Sequence, residues 1–133
     1  MPDVIYLSAD QVLDLHAEAL TLGGRKGVRS VHLLHSAVGQ PEQAAFGEDA
    51  YPTIPDKAAA YAFFLVKNHP YVDGNKRTAE VAMFVFLDLN GFDFVDDQDD
   101  IADTLERLAA GRVDQGTFFE WVREKAHART VVE

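Results

Sequence analysis

Nine consecutive residues, His69-Pro70-Tyr71-Val72-Asp73-Gly74-Asn75-Lys76-Arg77, concentrate side chains that can do chemistry. A helix should end at the histidine, because a residue before proline is pushed out of the helical region. A turn follows, with Pro70 and Gly74 as its punctuation, and a second helix should open near Gly74 or Asn75. The first N–H groups of a helix lack internal partners, and with the helix dipole they form a site for an anion. Gly74 lets a phosphate approach the backbone, Lys76 and Arg77 add cationic donors, and Asn75 adds an amide. Asp73 offers a carboxylate for Mg²⁺, which bridges protein oxygen and polyphosphate. His69 can take a proton from an incoming hydroxyl. Anion cradle, metal ligand and general base are the parts of phosphoryl or nucleotidyl transfer. Singly, each has a structural use: a helix C-cap, a turn, a solvated basic patch. Two cations at a positive helix end are nevertheless unfavourable unless an anion sits there, and the combination points to function.

The elements around this segment read as helices joined by polar loops. Ser8 with Gln11 has the form of a capping box ahead of Val12, Leu13, Leu15 and Leu20, and Gly23-Gly24 closes that element. Ser30 caps a second helix running to Gly39. Residues 40–55 carry three prolines and Gly47, a long irregular connection of the kind that often carries function, with a short extended piece near Tyr51. Asp56 is the expected N-cap of a third helix, apolar nearly all round and therefore central. It ends at His69, and the fourth runs to Asn90-Gly91. A fifth spans about Asp99 to Ala110, and a sixth follows Asp114 with Phe118, Phe119, Trp121 and Val122 on one face. The tail after Ala128 should fray. Sustained period-two alternation is missing. The expectation is an all-α single domain over residues 1–133, a compact bundle of about six helices with at most a small β-hairpin in the 40–55 loop.

The 133 residues suit one core, and a formal charge of −10 disfavours a phosphate backbone as partner while tolerating a basic protein. Without cysteine there is no disulfide framework, thiolate metal site or cysteine nucleophile. The N-terminus lacks the features of a signal peptide, and the longest apolar stretch, Val81 to Leu87, is far too short for a bilayer. The expected location is the cytoplasm, with no membrane and no direct nucleic-acid partner. The aspartates from Asp93 to Asp100 do not match a calcium loop and read as a solvated loop entering a helix. His16, His32 and His35 lack a carboxylate at ligand spacing and read as structural. Trp121 with Phe118 and Phe119 reads as core packing rather than a base-stacking platform.

The segment from His69 to Arg77 resembles the active-site motif of the Fic superfamily, His-Pro-Phe-x-x-Gly-Asn-Gly-Arg. Its Gly74-Asn75-Lys76-Arg77, followed by Thr78-Ala79, is similar to the death-on-curing (Doc) branch, which has Asn-Lys-Arg where Fic proteins have Asn-Gly-Arg. Chain length, helix order and the ending Leu87-Asp88-Leu89-Asn90-Gly91 agree. The resemblance implies His69 as base, Asp73 as Mg²⁺ ligand, Gly74, Asn75, Lys76 and Arg77 as the ATP phosphate-binding group, and Tyr71, in place of Phe, as inward anchor. It implies a target-docking flap, for which Tyr51, Pro52 and Thr53 are candidates. Lys76 replaces the glycine that leaves room for distal phosphates in adenylylating members, which favours γ-phosphate transfer to Ser or Thr over AMP transfer. The implied substrate is a translation factor, elongation factor Tu, and the implied outcome is arrested growth. The self-inhibitory Ser/Thr-x-x-x-Glu helix of many Fic proteins is not found, since Thr104-Leu105-Glu106 has the wrong spacing, so a separate antitoxin is expected. A non-enzymatic nucleotide-binding module is the reading of a different class.

Overall fold

The helix signals lie close to where the chain places its elements. The computed structural model describes residues 3–21 and 23–130. Helix α1 spans Ala9–Ala19 behind the Ser8–Gln11 capping box, and α2 spans Val31–Gly39 behind Ser30. A 3-10 turn, Gln40–Glu42, leads into a hairpin of β1 (Ala44–Ala45) and β2 (Glu48–Asp49). Helices α3 (Ile54–Asn68) and α4 (Asn75–Leu89) flank the motif turn. Then come β3 (Phe92–Phe94), α5 (Gln98–Ala109), α6 (Gln115–Lys125) and β4 (Ala126–Ala128). Among the described residues the expected all-α architecture of six helices with a hairpin in the 40–55 loop is present.

Helix α3 is the axis of the molecule. Every residue from Asp56 to Phe63 is buried, which is what a helix apolar all round requires. It packs on α2, α4, α5 and α6, and α1 closes the other side of α4. Phe86 and Tyr61 meet at ring centroids 5.0 Å apart in the centre. The Tyr61 hydroxyl accepts from the Leu7 N–H at 2.8 Å and donates to its carbonyl at 3.2 Å. Asn90 holds Ile5 by both backbone groups in the same way, at 2.9 Å each. The segment before α1 is thus pinned across α3 and α4 by polar groups that would otherwise be costly to leave unpaired.

Three expectations need correction. Helix α3 begins at Ile54, with Thr53 as N-cap accepting from the Asp56 N–H at 3.1 Å, so Asp56 sits in the first turn. There Asp56 takes the Arg123 guanidinium at 2.7 Å, tying α6 to α3. A hairpin at residues 40–55 is not the only sheet, because β3 and β4 pair antiparallel, Phe92 with Ala128 and Phe94 with Ala126. Strands of three residues carry too little alternation to be seen. Residues 129 and 130 follow that sheet, and Arg129 is clamped by Asp88, Asp93 and the Phe92 carbonyl rather than frayed; residues 131–133 lie outside the described residues. Among the described residues no helix is long and apolar enough to cross a membrane.

Candidate active site

The motif turn joins α3 to α4 and lies along the segment that links α1 to α2. Val28 bridges Tyr71, the Val72 N–H donates to the Gly27 carbonyl at 3.0 Å, and the Pro70 carbonyl accepts from Arg29 and Ser30 at 2.7 and 3.1 Å. Arg29 also donates to the carbonyls of His69 and Asn68, each at 2.8 Å. These belong to the last turn of α3, where carbonyls lack helical partners and a cation is favoured. Braced in this way, His69 takes a left-handed conformation, φ 49° and ψ 55°, unusual for a residue other than glycine. The helix therefore ends at His69 as expected. The exit is left-handed, and the exposed side chain lines a cleft.

Tyr71 points the other way. Its ring is fully buried as the anchor of the turn, and its hydroxyl has no hydrogen-bond partner among the described residues. Burial pushes that hydroxyl's pKa up to about 12. Asn75 is buried too, and its side chain is committed to the turn: Oδ1 accepts from the Tyr71 N–H at 3.0 Å and Nδ2 donates to the Tyr71 carbonyl at 2.9 Å. The amide expected to meet a phosphate instead holds the loop, which leaves Asn75 its backbone N–H for an anion.

Helix α4 opens at Gly74, φ 77°, without a side-chain cap. Among the described residues each of the other five α-helices has one, from Ser8, Ser30, Thr53, Asp97 and Asp114. The uncapped N–H groups face a cleft of about 960 Å³ lined by His69, Asp73, Gly74, Asn75, Lys76 and Arg77. Glycine suits position 74, because any other residue would be strained on a left-handed backbone and its Cβ would press on Leu20 Cδ2 at 2.9 Å. Asp73 accepts from the Arg25 N–H at 3.1 Å and from the Gly74 N–H at 2.8 Å. Those two hydrogen bonds hold its carboxyl below the usual carboxylate range, so it is charged and exposed at the cleft. Among the described residues no group of three or more His, Asp or Glu side chains could hold a metal alone. One charged carboxylate beside an anion cradle nevertheless fits Mg²⁺, which binds through one or two carboxylates and substrate phosphates. Arg77 donates to the Ala19 carbonyl at the end of α1, at 2.7 Å.

Several residues of the site lie outside what the motif alone indicates. Glu106 of α5 accepts from Lys76 Nζ at 2.5 Å across the cleft. Glu80 lines the same cleft, half-buried, and burial raises its carboxyl despite the nearby Arg77. Glu80 lies four residues after Lys76, so helical spacing could have placed it on the same face. His16, Arg25 and Arg29 reach the turn from the distant α1–α2 region, a contact no local pattern encodes. The proposed docking residues separate. Tyr51 is half-buried against Phe64 and Phe119, Thr53 caps α3, and Pro52 is exposed between them. All three form the base of the hairpin, whose tip is Phe46, fully exposed, with φ 54°.

A family model described as the Fic/DOC family matches residues 6–87, from the pinned N-terminal segment through most of α4. The chain is 44% identical over 108 residues to Toxin Doc of Mycolicibacterium smegmatis, a span covering 80% of this chain and 82% of that protein.

Proposed function

The chain belongs to the Fic/DOC family, and from that premise we propose that it is the toxin of a toxin–antitoxin pair, transferring the γ-phosphoryl group of ATP to a Ser or Thr hydroxyl of a translation factor. Elongation factor Tu is the target that the resemblance suggests, and arrested protein synthesis the consequence. The observation that carries the reading is a single cleft into which His69, Asp73 and the uncapped start of α4 all project. The relative's name, Toxin Doc, supports the toxin role and with it a cognate antitoxin.

In this mechanism the N–H groups at the start of α4, with Lys76 and Arg77, hold the polyphosphate. Asp73 would hold Mg²⁺, which supplies positive charge against the phosphate oxygens when bound. The target hydroxyl enters beside His69. Its oxygen attacks the γ-phosphorus while its proton passes to the imidazole, and the bond from γ-phosphorus to the β–γ bridging oxygen breaks, releasing ADP. Arg29 holds the backbone on which the base sits. Phosphate rather than AMP transfer is favoured by Lys76, whose side chain crosses the cleft to Glu106 and fills space that glycine leaves open in adenylylating members.

Intact mass spectrometry of elongation factor Tu, incubated with this protein, Mg²⁺ and ATP, tests the reading. The expected result is the mass of one phosphate per site. The His69→Ala protein should be slower by about 10²–10⁴-fold, the usual contribution of a general base. An AMP adduct would transfer the assignment to adenylylation, and a fully active His69→Ala protein would remove the base from the mechanism.

A further inference from the structure

Beneath the motif turn lies an imidazole that touches none of the reacting groups. His16 of α1 is 3% exposed, and its ring lies flat on Tyr71, with centroids 3.7 Å apart and planes 7° from parallel. Its Nε2 is 2.8 Å from the carbonyl oxygen of Asp73. A carbonyl oxygen only accepts, so this nitrogen carries the proton. The Asp73–Gly74 peptide is trans, which sends its carbonyl and its N–H to opposite sides. On the far side the N–H donates to Asp73 Oδ1 at 2.8 Å, while Oδ2 accepts from Arg25. One planar unit is therefore gripped at both ends, by the imidazole and by the carboxylate. Glycine at position 74 makes the grip necessary, since it tolerates either orientation of the preceding peptide. A flipped peptide would withdraw the N–H from Asp73 and turn a carbonyl oxygen toward the anion cleft.

We propose that His16 is a positioning residue for the phosphate and metal side of the site: its Nε2–H locks the Asp73–Gly74 peptide so that the Gly74 N–H orients the Asp73 carboxylate. This rests on the assignment of Asp73 to Mg²⁺ above. A role confined to packing would need only the flat ring on Tyr71, and the two roles separate by substitution. His16→Phe keeps a ring and loses the donor, whereas His16→Gln loses the ring and keeps an N–H donor near the Nε2 position.

The test reads the Gly74 amide in ¹⁵N–¹H spectra and the binding of Mg²⁺·ATP by calorimetry, in the wild type and both variants. His16→Phe should shift the Gly74 amide and weaken Mg²⁺·ATP by about tenfold, the lower end of the effect of losing support behind a metal ligand. His16→Gln should restore most of both. A His16→Phe protein with the wild-type amide and wild-type affinity overturns the proposal, as does a His16→Gln protein impaired equally. Should neither variant fold, the wild-type imidazole ¹⁵N shifts decide: a protonated Nε2 supports the hydrogen bond, and an unprotonated one ends the proposal. None of these readouts depends on the target or on the group transferred. Failure of the wild type to bind Mg²⁺·ATP at all would instead strike the Asp73 assignment, and the proposal with it.

Discussion

Lys76 and Glu106 form the contact at which residue identity and function meet most directly. Their side chains are 45% and 66% exposed, and an ion pair in such surroundings contributes about 0–1 kcal/mol to stability. The pair matters more for what it occupies. A lysine turned toward Glu106 must leave that partner, or share it, to meet a phosphate, and a carboxylate in the cleft repels the same phosphate. Glu106→Gln should therefore bind Mg²⁺·ATP about two- to fivefold tighter, on the scale of an exposed ion pair. Its melting temperature should stay near that of the parent. Calorimetric titration checks this, and unchanged affinity would mean that Lys76 does not contact the polyphosphate. Glu106 does this without the spacing of the inhibitory motif, because α5 reaches the cleft through the tertiary fold rather than through a local pattern.

Among the elements, the hairpin β1–β2 is the least self-sufficient. Two residue pairs cannot hold a hairpin in water. Its anchor is Lys57, 1% exposed in α3, whose Nζ donates to Asp49 at 3.1 Å and to the Tyr51 carbonyl at 2.6 Å, and lies 5.6 Å from the centre of the Tyr6 ring. Lys57→Met strands the Tyr51 carbonyl, while half-exposed Asp49 regains water. The expected loss is about 1–3 kcal/mol, less than for a truly buried charge left alone. Hydrogen exchange should accelerate at residues 44–50 well beyond any change in α3. If the hairpin receives the target, KM for the protein substrate should rise while KM for ATP holds. Equal protection in parent and variant would free the hairpin from Lys57. The helices themselves were legible from caps and periodicity: Ser8, Ser30 and Asp114 cap where the pattern puts them, and α3 is buried as its apolar run demands. The departures have two causes. The β3–β4 pair and the reach of His16 and Arg29 to the turn are settled by tertiary partners. The Thr53 cap and the inward amide of Asn75 are local contacts, three and four residues apart, that residue type alone does not select. The motif supplied the residue types of the site, and only the fold distinguishes those that face the cleft from those that hold the turn.

At the scale of the whole molecule, a charge of −10 on 133 residues sets a conflict. Among the described residues seven ion pairs are formed, most of them exposed, and added salt weakens such pairs. Salt also screens the net repulsion, which acts the other way. A folded chain of this length has a radius of gyration of about 14 Å, whereas the Debye length is about 30 Å at 0.01 M and about 8 Å at 0.15 M salt. At low salt every surface charge therefore feels the others, and the compact state carries a penalty on the order of 5 kcal/mol relative to an expanded coil. At physiological salt most of that is screened, while the exposed pairs, at a few tenths of a kcal/mol each, lose less in total. The melting temperature should accordingly rise by about 5 °C or more between those two salt concentrations, given roughly 3–4 °C per kcal/mol for a domain of this size. Differential scanning calorimetry at fixed pH with sodium chloride alone, without ATP or divalent ions that bind the native state, measures it. A flat or falling melting temperature would mean that clusters such as Arg129 with Asp88 and Asp93 outweigh the repulsion. A rise would mean that net repulsion outweighs the ion pairs, and the same field that destabilises the folded chain at low salt would attract a basic protein.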